Sequence, residues 1–170
     1  LEKARMHPAD VDANFNKPVL LEDIQIEKDL IQEIIQLAQI IKASDPKMRD
    51  LKNKLKSSYI ENKDKKILTF TFFADTIDYI EESVNNDPEM AEIYARSAFV
   101  SGRDRKHALH CANRFAPTAK GAEDLAKEEG EITYLFATDV LSEGQNLQDC
   151  GEIINYDLHW NPVRMVQRNG

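Results

Sequence analysis

Apolar residues recur along this chain at two spacings, one typical of helices and one typical of strands. A stripe at helical spacing predicts a helix near residues 23–43, after an irregular lead-in over residues 1–21. Pro46 then predicts the first position of a second helix, which Ser44 or Asp45 would cap. The first third of the chain is therefore expected to be mainly helical.

Beyond this region the pattern changes to short apolar runs. The run at residues 67–73 is rich in β-branched and aromatic residues and is apolar on both faces, as expected for a buried parallel strand. Further strands are predicted at residues 97–100, 132–137 and 152–156. Between and after these strands we expect a helix capped by Asp75 or Thr76, a helix over 103–115, a loop over 116–131 and a last helix from Asn161 and Pro162.

Alternation of strands and helices with short connections predicts an α/β fold with a mostly parallel sheet and helices on both faces. In such sheets ligands bind beyond the carboxyl ends of the strands. Candidate functional residues are therefore those that follow each strand directly, at residues 73–76, 101–102, 138–148 and 157–161.

Charge gives two conflicting indications about partners. The chain has 170 residues and a formal net charge of -8, which by itself argues against a nucleic-acid binder. However, six basic residues and only one acidic residue, Asp104, lie within residues 96–120. This stretch is either a local basic face or an ordinary solvated helix face.

Composition disfavours several other classes of protein. The two cysteines, Cys111 and Cys150, are far apart in sequence, so neither a zinc site nor a disulfide framework is expected. A metal- or cysteine-dependent enzyme is disfavoured for the same reason, and a reducing cytoplasm is the expected compartment. No apolar run is long enough for a membrane span, and the start of the chain, which lacks an initiator Met, does not resemble a signal peptide.

Two blocks near the end of the chain carry the most chemistry. Thr138 and Asp139 directly follow the predicted strand at 132–137, a position where both residue types are also common helix caps. Gly144 lies where a tight turn or a close backbone approach is needed. Asn146 supplies an amide able to bind a sugar hydroxyl or a phosphate.

The second block covers residues 155–170. Pro162 sets the register of the predicted last helix, which places Arg164, Gln167 and Arg168 on one face at spacings of three and four. This face is either a cationic edge that meets a phosphate chain or an opposing domain, or the polar side of an ordinary amphipathic helix.

Together these blocks resemble the second RecA-like lobe of superfamily-two helicases and translocases. Residues 66–80 look like motif IV, residues 137–148 like motif V, and residues 167–170 like the opening of motif VI. The segment 157–162 is similar to the Asp-x-x-Trp-Asn-Pro stretch of the Swi/Snf-type branch. The resemblance covers residues 44–170 and implies a RecA-like three-layer domain.

The resemblance also implies roles for individual positions. Residues that would contact the nucleic-acid backbone are Ala74, Asp75, Thr76, Ser101, Gly102 and Thr138. Residues that would lie at the nucleotide cleft are Gly144, Asn146, Gln167 and Arg168. For Ala74, Asp75 and Thr76 the physical reason is the free backbone N–H groups of a helix N-terminus.

The implied activity is that of an ATP-dependent motor which grips nucleic acid, with DNA favoured over RNA. ATP and Mg²⁺ would require an upstream RecA-like lobe, because this sequence has no Gly-x-x-x-x-Gly-Lys-Ser/Thr loop. The motif VI arginines would follow Gly170, so no catalytic set is complete and this chain alone is expected to be inactive.

The resemblance also predicts a domain organisation. Residues 1–43 would form a lead-in and a helix that packs on the lobe, and residues 44–170 would form the lobe, truncated within motif VI. The competing hypothesis is a non-catalytic α/β module that binds a protein partner, since doubly wound domains support many functions.

Overall fold

The computed structural model describes residues 16–141 and 145–158, and the chain divides into two compact units, Leu1–Asp45 and Pro46–Gly170. Within the first unit, helix α1 spans Lys17–Ala43. The predicted irregular lead-in is thus wrong from Lys17 onward. Pro18 is compatible with helix because it lies in the first turn, where its missing N–H group has no intrahelical partner to lose.

A four-stranded parallel sheet forms the centre of the second unit. Its strands are β1 (Ile67–Phe70), β2 (Ser97–Val100), β3 (Tyr134–Ala137) and β4 (Glu152–Asn155). The strand order is β2-β3-β1-β4, and each neighbouring pair is parallel. Every residue of the two inner strands, β1 and β3, is buried, which explains why their sequences are apolar on both faces.

One face of the sheet is covered by α2 (Pro46–Glu61), α3 (Ala74–Asn85) and α4 (Ala91–Tyr94), which follows a 3₁₀ turn at Pro88–Met90. Helix α2 begins at Pro46, as predicted. Its buried residues recur every three or four positions and form a stripe that packs on the strands: Met48, Leu51, Leu55 and Ser58.

The other face is covered by α5 (Arg105–Phe115), α6 (Pro117–Lys120) and α7 (Glu123–Glu129). Side chains of α5 pack against Leu68 and Leu135, which point to this side of β1 and β3. Helices therefore cover both faces of a parallel sheet, and the predicted α/β fold of three layers is confirmed.

Two local predictions are wrong. The predicted loop over 116–131 contains α6 and α7, which are too short to show an apolar stripe in sequence. Each is followed by a glycine with positive φ, Gly121 at 61° and Gly130 at 90°, a conformation that other residues rarely adopt. In addition, neither Asp75 nor Thr76 caps α3, because the helix begins at Ala74.

Asp157 ties the end of β4 to two neighbouring elements. Its carboxylate accepts hydrogen bonds from the Thr71 hydroxyl, from the Phe72 N–H at 3.2 Å and from the Lys47 ammonium group at 2.6 Å. Burial disfavours the charged form, but these three donors outweigh burial and hold the pKa of Asp157 below its ordinary value. The charged carboxylate therefore stabilises the folded chain.

None of the helices in the described parts of the chain combines the length and the hydropathy that a membrane crossing requires.

The Asp157 network predicts a specific dependence of stability on pH. A lowered folded-state pKa stabilises the fold above the unfolded pKa of about 3.9, and this contribution disappears as the pH falls through the folded pKa. We expect Asp157→Asn to lower the free energy of unfolding by on the order of 2 kcal/mol at neutral pH. The difference from wild type should shrink below about pH 4 in urea titrations.

A matched control is Asp124→Asn, since the side chain of Asp124 is 98% exposed. We expect this variant to unfold like wild type across the same pH range. A difference between Asp157→Asn and wild type that stayed constant down to acid pH would contradict the proposed role of the charge.

Candidate functional site

The carboxyl ends of β1, β2 and β3 bring together the residues predicted to contact a nucleic-acid backbone. Ala74, Asp75 and Thr76 form the first turn of α3, which begins shortly after β1. Ser101 and Gly102 follow β2, and Thr138 follows β3. Because these strands are parallel and in register, their ends lie at the same edge of the sheet, which we call the grip edge.

A hydrogen bond links the turn after β2 to the residue after β3. The Gly102 N–H donates to the Thr138 hydroxyl oxygen at 3.2 Å, and the Thr138 N–H donates to the Val100 carbonyl at 3.2 Å. Thr138 is only 8% exposed, so its side chain is fixed in place. The hydroxyl oxygen acts as an acceptor here, and no acceptor for its hydrogen lies among residues 16–141 and 145–158, so the hydroxyl can still donate to a ligand.

The N-terminus of α3 offers fewer free amides than the sequence predicts. The Thr76 N–H donates to the Phe73 carbonyl at 3.0 Å. In contrast, the amides of Ala74 and Asp75 have no hydrogen-bond partner within the described ranges, and no side chain caps this helix. Two of the three predicted donors are therefore open to an anion.

Arg103 was not among the predicted site residues, yet it joins two parts of the grip edge. It directly follows Gly102, and its guanidinium group forms ion pairs with Asp75 and, at 2.6 Å, with Asp78. Both carboxylates belong to α3. The sequence offered only a weak signal for this contact, namely an arginine beside a Ser-Gly turn and two aspartates three residues apart.

The basic stretch over residues 96–120 does not form a continuous basic face. Arg96 pairs with Asp64 at 2.9 Å, and Arg114 donates to the Glu129 and Gly130 carbonyls. These contacts hold neighbouring segments together and neutralise part of the local charge. Two cations at the start of α5 are exposed and have no ion-pair partner among the described residues: Arg105 and Lys106.

The loop at residues 145–149 is anchored to α6. Asp149 accepts from the Thr118 N–H at 2.9 Å and from the Ala119 N–H at 3.1 Å, which satisfies two amides at the start of that helix. Lys120 donates to the Gln145 side chain at 2.7 Å. No local sequence pattern predicts these contacts, because the partners lie 25 to 31 positions apart.

Asn146, predicted to lie at the nucleotide cleft, is exposed and is held loosely within this loop. Its amide nitrogen donates to the Ala119 carbonyl at 3.4 Å, and its amide oxygen accepts from the Gln148 N–H at 3.3 Å. Both bonds are long, so a ribose hydroxyl could replace either of them. The other predicted cleft residues, Gly144, Gln167 and Arg168, lie outside the described residues, as does the predicted last helix.

Within the ranges that the structure describes, no group of three or more His, Cys, Asp or Glu side chains is arranged to hold a metal ion. Cys111 and Cys150 are free thiols, and burial raises the pKa of each.

Comparisons with known proteins place this geometry in context. The family described as Helicase conserved C-terminal domain matches residues 46–170. The chain is 49% identical over 53 residues to the uncharacterized ATP-dependent helicase YqhH of Bacillus subtilis, which covers 30% of this chain and 10% of that protein. It is 24% identical over 153 residues to the antiviral innate immune response receptor RIG-I of Homo sapiens, covering 86% of this chain and 16% of the receptor.

Among solved structures, the Pyrococcus furiosus Hef helicase domain superposes with a TM-score of 0.55. It shares 22% sequence identity and covers 87% of this chain, which corresponds to 28% of that domain. At this level of identity the similarity shows the fold alone. The names of these relatives do not single out the Swi/Snf-type branch, so that branch remains a prediction.

The hydrogen bond from the Gly102 N–H to the Thr138 hydroxyl can be tested by substitution. Thr138→Val keeps the side-chain shape but removes the acceptor, which leaves a Gly102 N–H without its partner. We expect a loss of on the order of 1 kcal/mol in unfolding free energy and faster hydrogen exchange at the Gly102 amide. Thr138→Ser, which keeps the hydroxyl, is the control. Equal exchange at Gly102 in wild type and Thr138→Val would show that the bond does not form.

Proposed function

The chain belongs to the Helicase conserved C-terminal domain family, and we propose that it is the second motor lobe of a longer ATP-dependent helicase or double-strand DNA translocase. The chain spans about a tenth to a sixth of the length of the curated relatives that it matches. The activity of the whole protein is therefore part of the proposal. Cytoplasmic location also belongs to it, and the two free thiols favour a reducing compartment.

The observation that carries the proposal is the convergence of donors at the grip edge. The open amides of Ala74 and Asp75, the turn at Ser101 and Gly102, and the hydroxyl of Thr138 lie at neighbouring strand ends. Amides and hydroxyls of this kind bind phosphate oxygens without reading bases. Contacts of this kind suit a motor that tracks along a backbone regardless of sequence.

ATP would lie between this lobe and an upstream RecA-like lobe of the same polypeptide. The upstream lobe would supply the phosphate-binding loop and the Mg²⁺ ligands, and ATP would supply the free energy that closes and reopens the two lobes. On this side of the cleft, Asn146 would orient the ribose side of the nucleotide, together with Gly144. Gln167 and Arg168 would face the opposing lobe, followed by the arginines of motif VI.

The contacts between Asp149 and α6 support this assignment for Asn146. They hold the backbone of the loop while the Asn146 amide remains exposed and weakly bonded. A positioned but exposed amide can exchange its internal hydrogen bonds for a nucleotide hydroxyl with little rearrangement.

Within the family we favour the Swi/Snf-type branch and DNA as the substrate. Support comes from the sequence Asp157-Leu-His-Trp-Asn-Pro162, which is similar to the matching stretch of that branch. Asp157 fixes the start of this segment against Thr71 and Phe72, at the end of β1.

The test is ATP hydrolysis by the intact protein, measured with duplex DNA, single-stranded DNA and RNA. We expect nucleic acid to stimulate hydrolysis, with duplex DNA the strongest activator, and we expect Thr138→Val to raise the DNA concentration needed for half-maximal stimulation. The 170-residue chain should hydrolyse no ATP. Absence of hydrolysis by the intact protein with every nucleic acid would refute the motor, and stronger stimulation by RNA would refute only the preference for DNA.

A further inference from the structure

Arg103 lies where the segments of the grip edge meet. Its backbone follows Gly102, which is bonded to Thr138, and its guanidinium group reaches α3, where Ala74 and Asp75 present open amides. The side chain of Arg103 remains 55% exposed. It is therefore a solvent-accessible cation that directly follows Gly102 and pairs with Asp75, two of the residues proposed to bind phosphate.

The partners of Arg103 are two carboxylates that a polyanion would encounter. The side chains of Asp75 and Asp78 are 91% and 59% exposed. Without a neighbouring cation, both carboxylates would repel a phosphate chain at this edge. The guanidinium group of Arg103 can therefore either pair with these two carboxylates or bind a phosphate group.

Replacing the ion pairs of Arg103 with a contact to phosphate is energetically favourable. Exposed ion pairs contribute only about 0–1 kcal/mol, because water screens both charges. A phosphodiester group accepts two parallel hydrogen bonds from a guanidinium group, and a polyanion gains further free energy by releasing its counterions. A phosphate chain bound at the grip edge can thus displace the carboxylates from Arg103.

We propose that Arg103 is a phosphate-binding residue of the nucleic-acid path, and that Asp75 and Asp78 hold it in the free protein and compete with phosphate for it. This inference rests on the proposed function, because it assumes that nucleic acid binds at the grip edge. The two aspartates then lower the affinity for nucleic acid. Binding requires that Arg103, in the turn after β2, first breaks its ion pairs with Asp75 and Asp78 on α3.

The competing explanation is that Arg103 only shields the two carboxylates and never touches phosphate. The two explanations differ in what happens when the carboxylates are already neutral. A shielding arginine becomes dispensable in an Asp75→Asn/Asp78→Asn background, whereas a phosphate-binding arginine remains necessary and is no longer held by a competitor. The two explanations are therefore separated by comparing the loss of affinity caused by Arg103→Gln with and without the two aspartate substitutions.

The experiment measures binding of a labelled DNA duplex to the intact protein at several salt concentrations. We expect Asp75→Asn/Asp78→Asn to tighten binding. In the otherwise wild-type protein, Arg103→Gln should weaken binding on the order of tenfold, and in the double-aspartate variant it should weaken binding at least as much. Arg103→Gln should also reduce the slope of log K against log salt by about one. Arg103→Lys, which keeps the charge without the bidentate geometry, should lie between Arg103→Gln and wild type.

Arg105→Gln is the matched control, because it removes one exposed cation two residues away that holds neither aspartate. Its effect should be the same with and without the aspartate substitutions. If the loss caused by Arg103→Gln disappears in the double-aspartate variant, the inference is overturned while the proposed function stands. If the wild-type intact protein binds no nucleic acid at low salt, both are overturned. The side chains of Asp75, Asp78, Arg103 and Arg105 are all exposed, so these substitutions should not disturb the core. Thermal unfolding checks that each variant folds.

Discussion

The parallel pairing of two fully buried strands is the constraint on which the rest of this structure depends. β1 and β3 have no face toward water, so both must be apolar and both must be covered by helices. Parallel pairing in register also forces the carboxyl ends of neighbouring strands to one edge. Residues from three distant parts of the sequence, at positions 74–76, 101–102 and 138, meet there because the strands that precede them are paired.

Side-chain contacts hold the segments at this edge in fixed positions relative to one another. Thr138 fixes the turn at Gly102, Arg103 reaches α3, and Asp157 holds the end of β4 against the end of β1. The charges are balanced locally, since arginines and lysines pair with nearby carboxylates throughout the domain. Local pairing of this kind limits how far the net charge of -8 would oppose the proposed binding of a polyanion at the grip edge. The proposed contacts involve only a few donors, so they do not require a protein that is basic as a whole.

Features with a local signature could be predicted from sequence, and features that depend on distant partners could not. The apolar run of β1, the buried stripe of α2 and the start of α2 at Pro46 each follow from a short pattern. Helices α6 and α7 are too short to produce one. The partners of Arg103 lie 25 and 28 residues away, and Thr71 lies 86 residues from Asp157, so only the folded chain brings them together.

The central claim, that nucleic acid binds at the carboxyl edge of the sheet, is tested most directly by amide chemical shifts. The 170-residue chain, labelled with nitrogen-15, would be titrated with a short DNA duplex at low salt. The account predicts that the largest shifts occur at Ala74, Asp75, Gly102, Arg103 and Thr138. Shifts concentrated instead on α2, which carries Lys52, Lys54 and Lys56, with the grip edge unchanged, would contradict it.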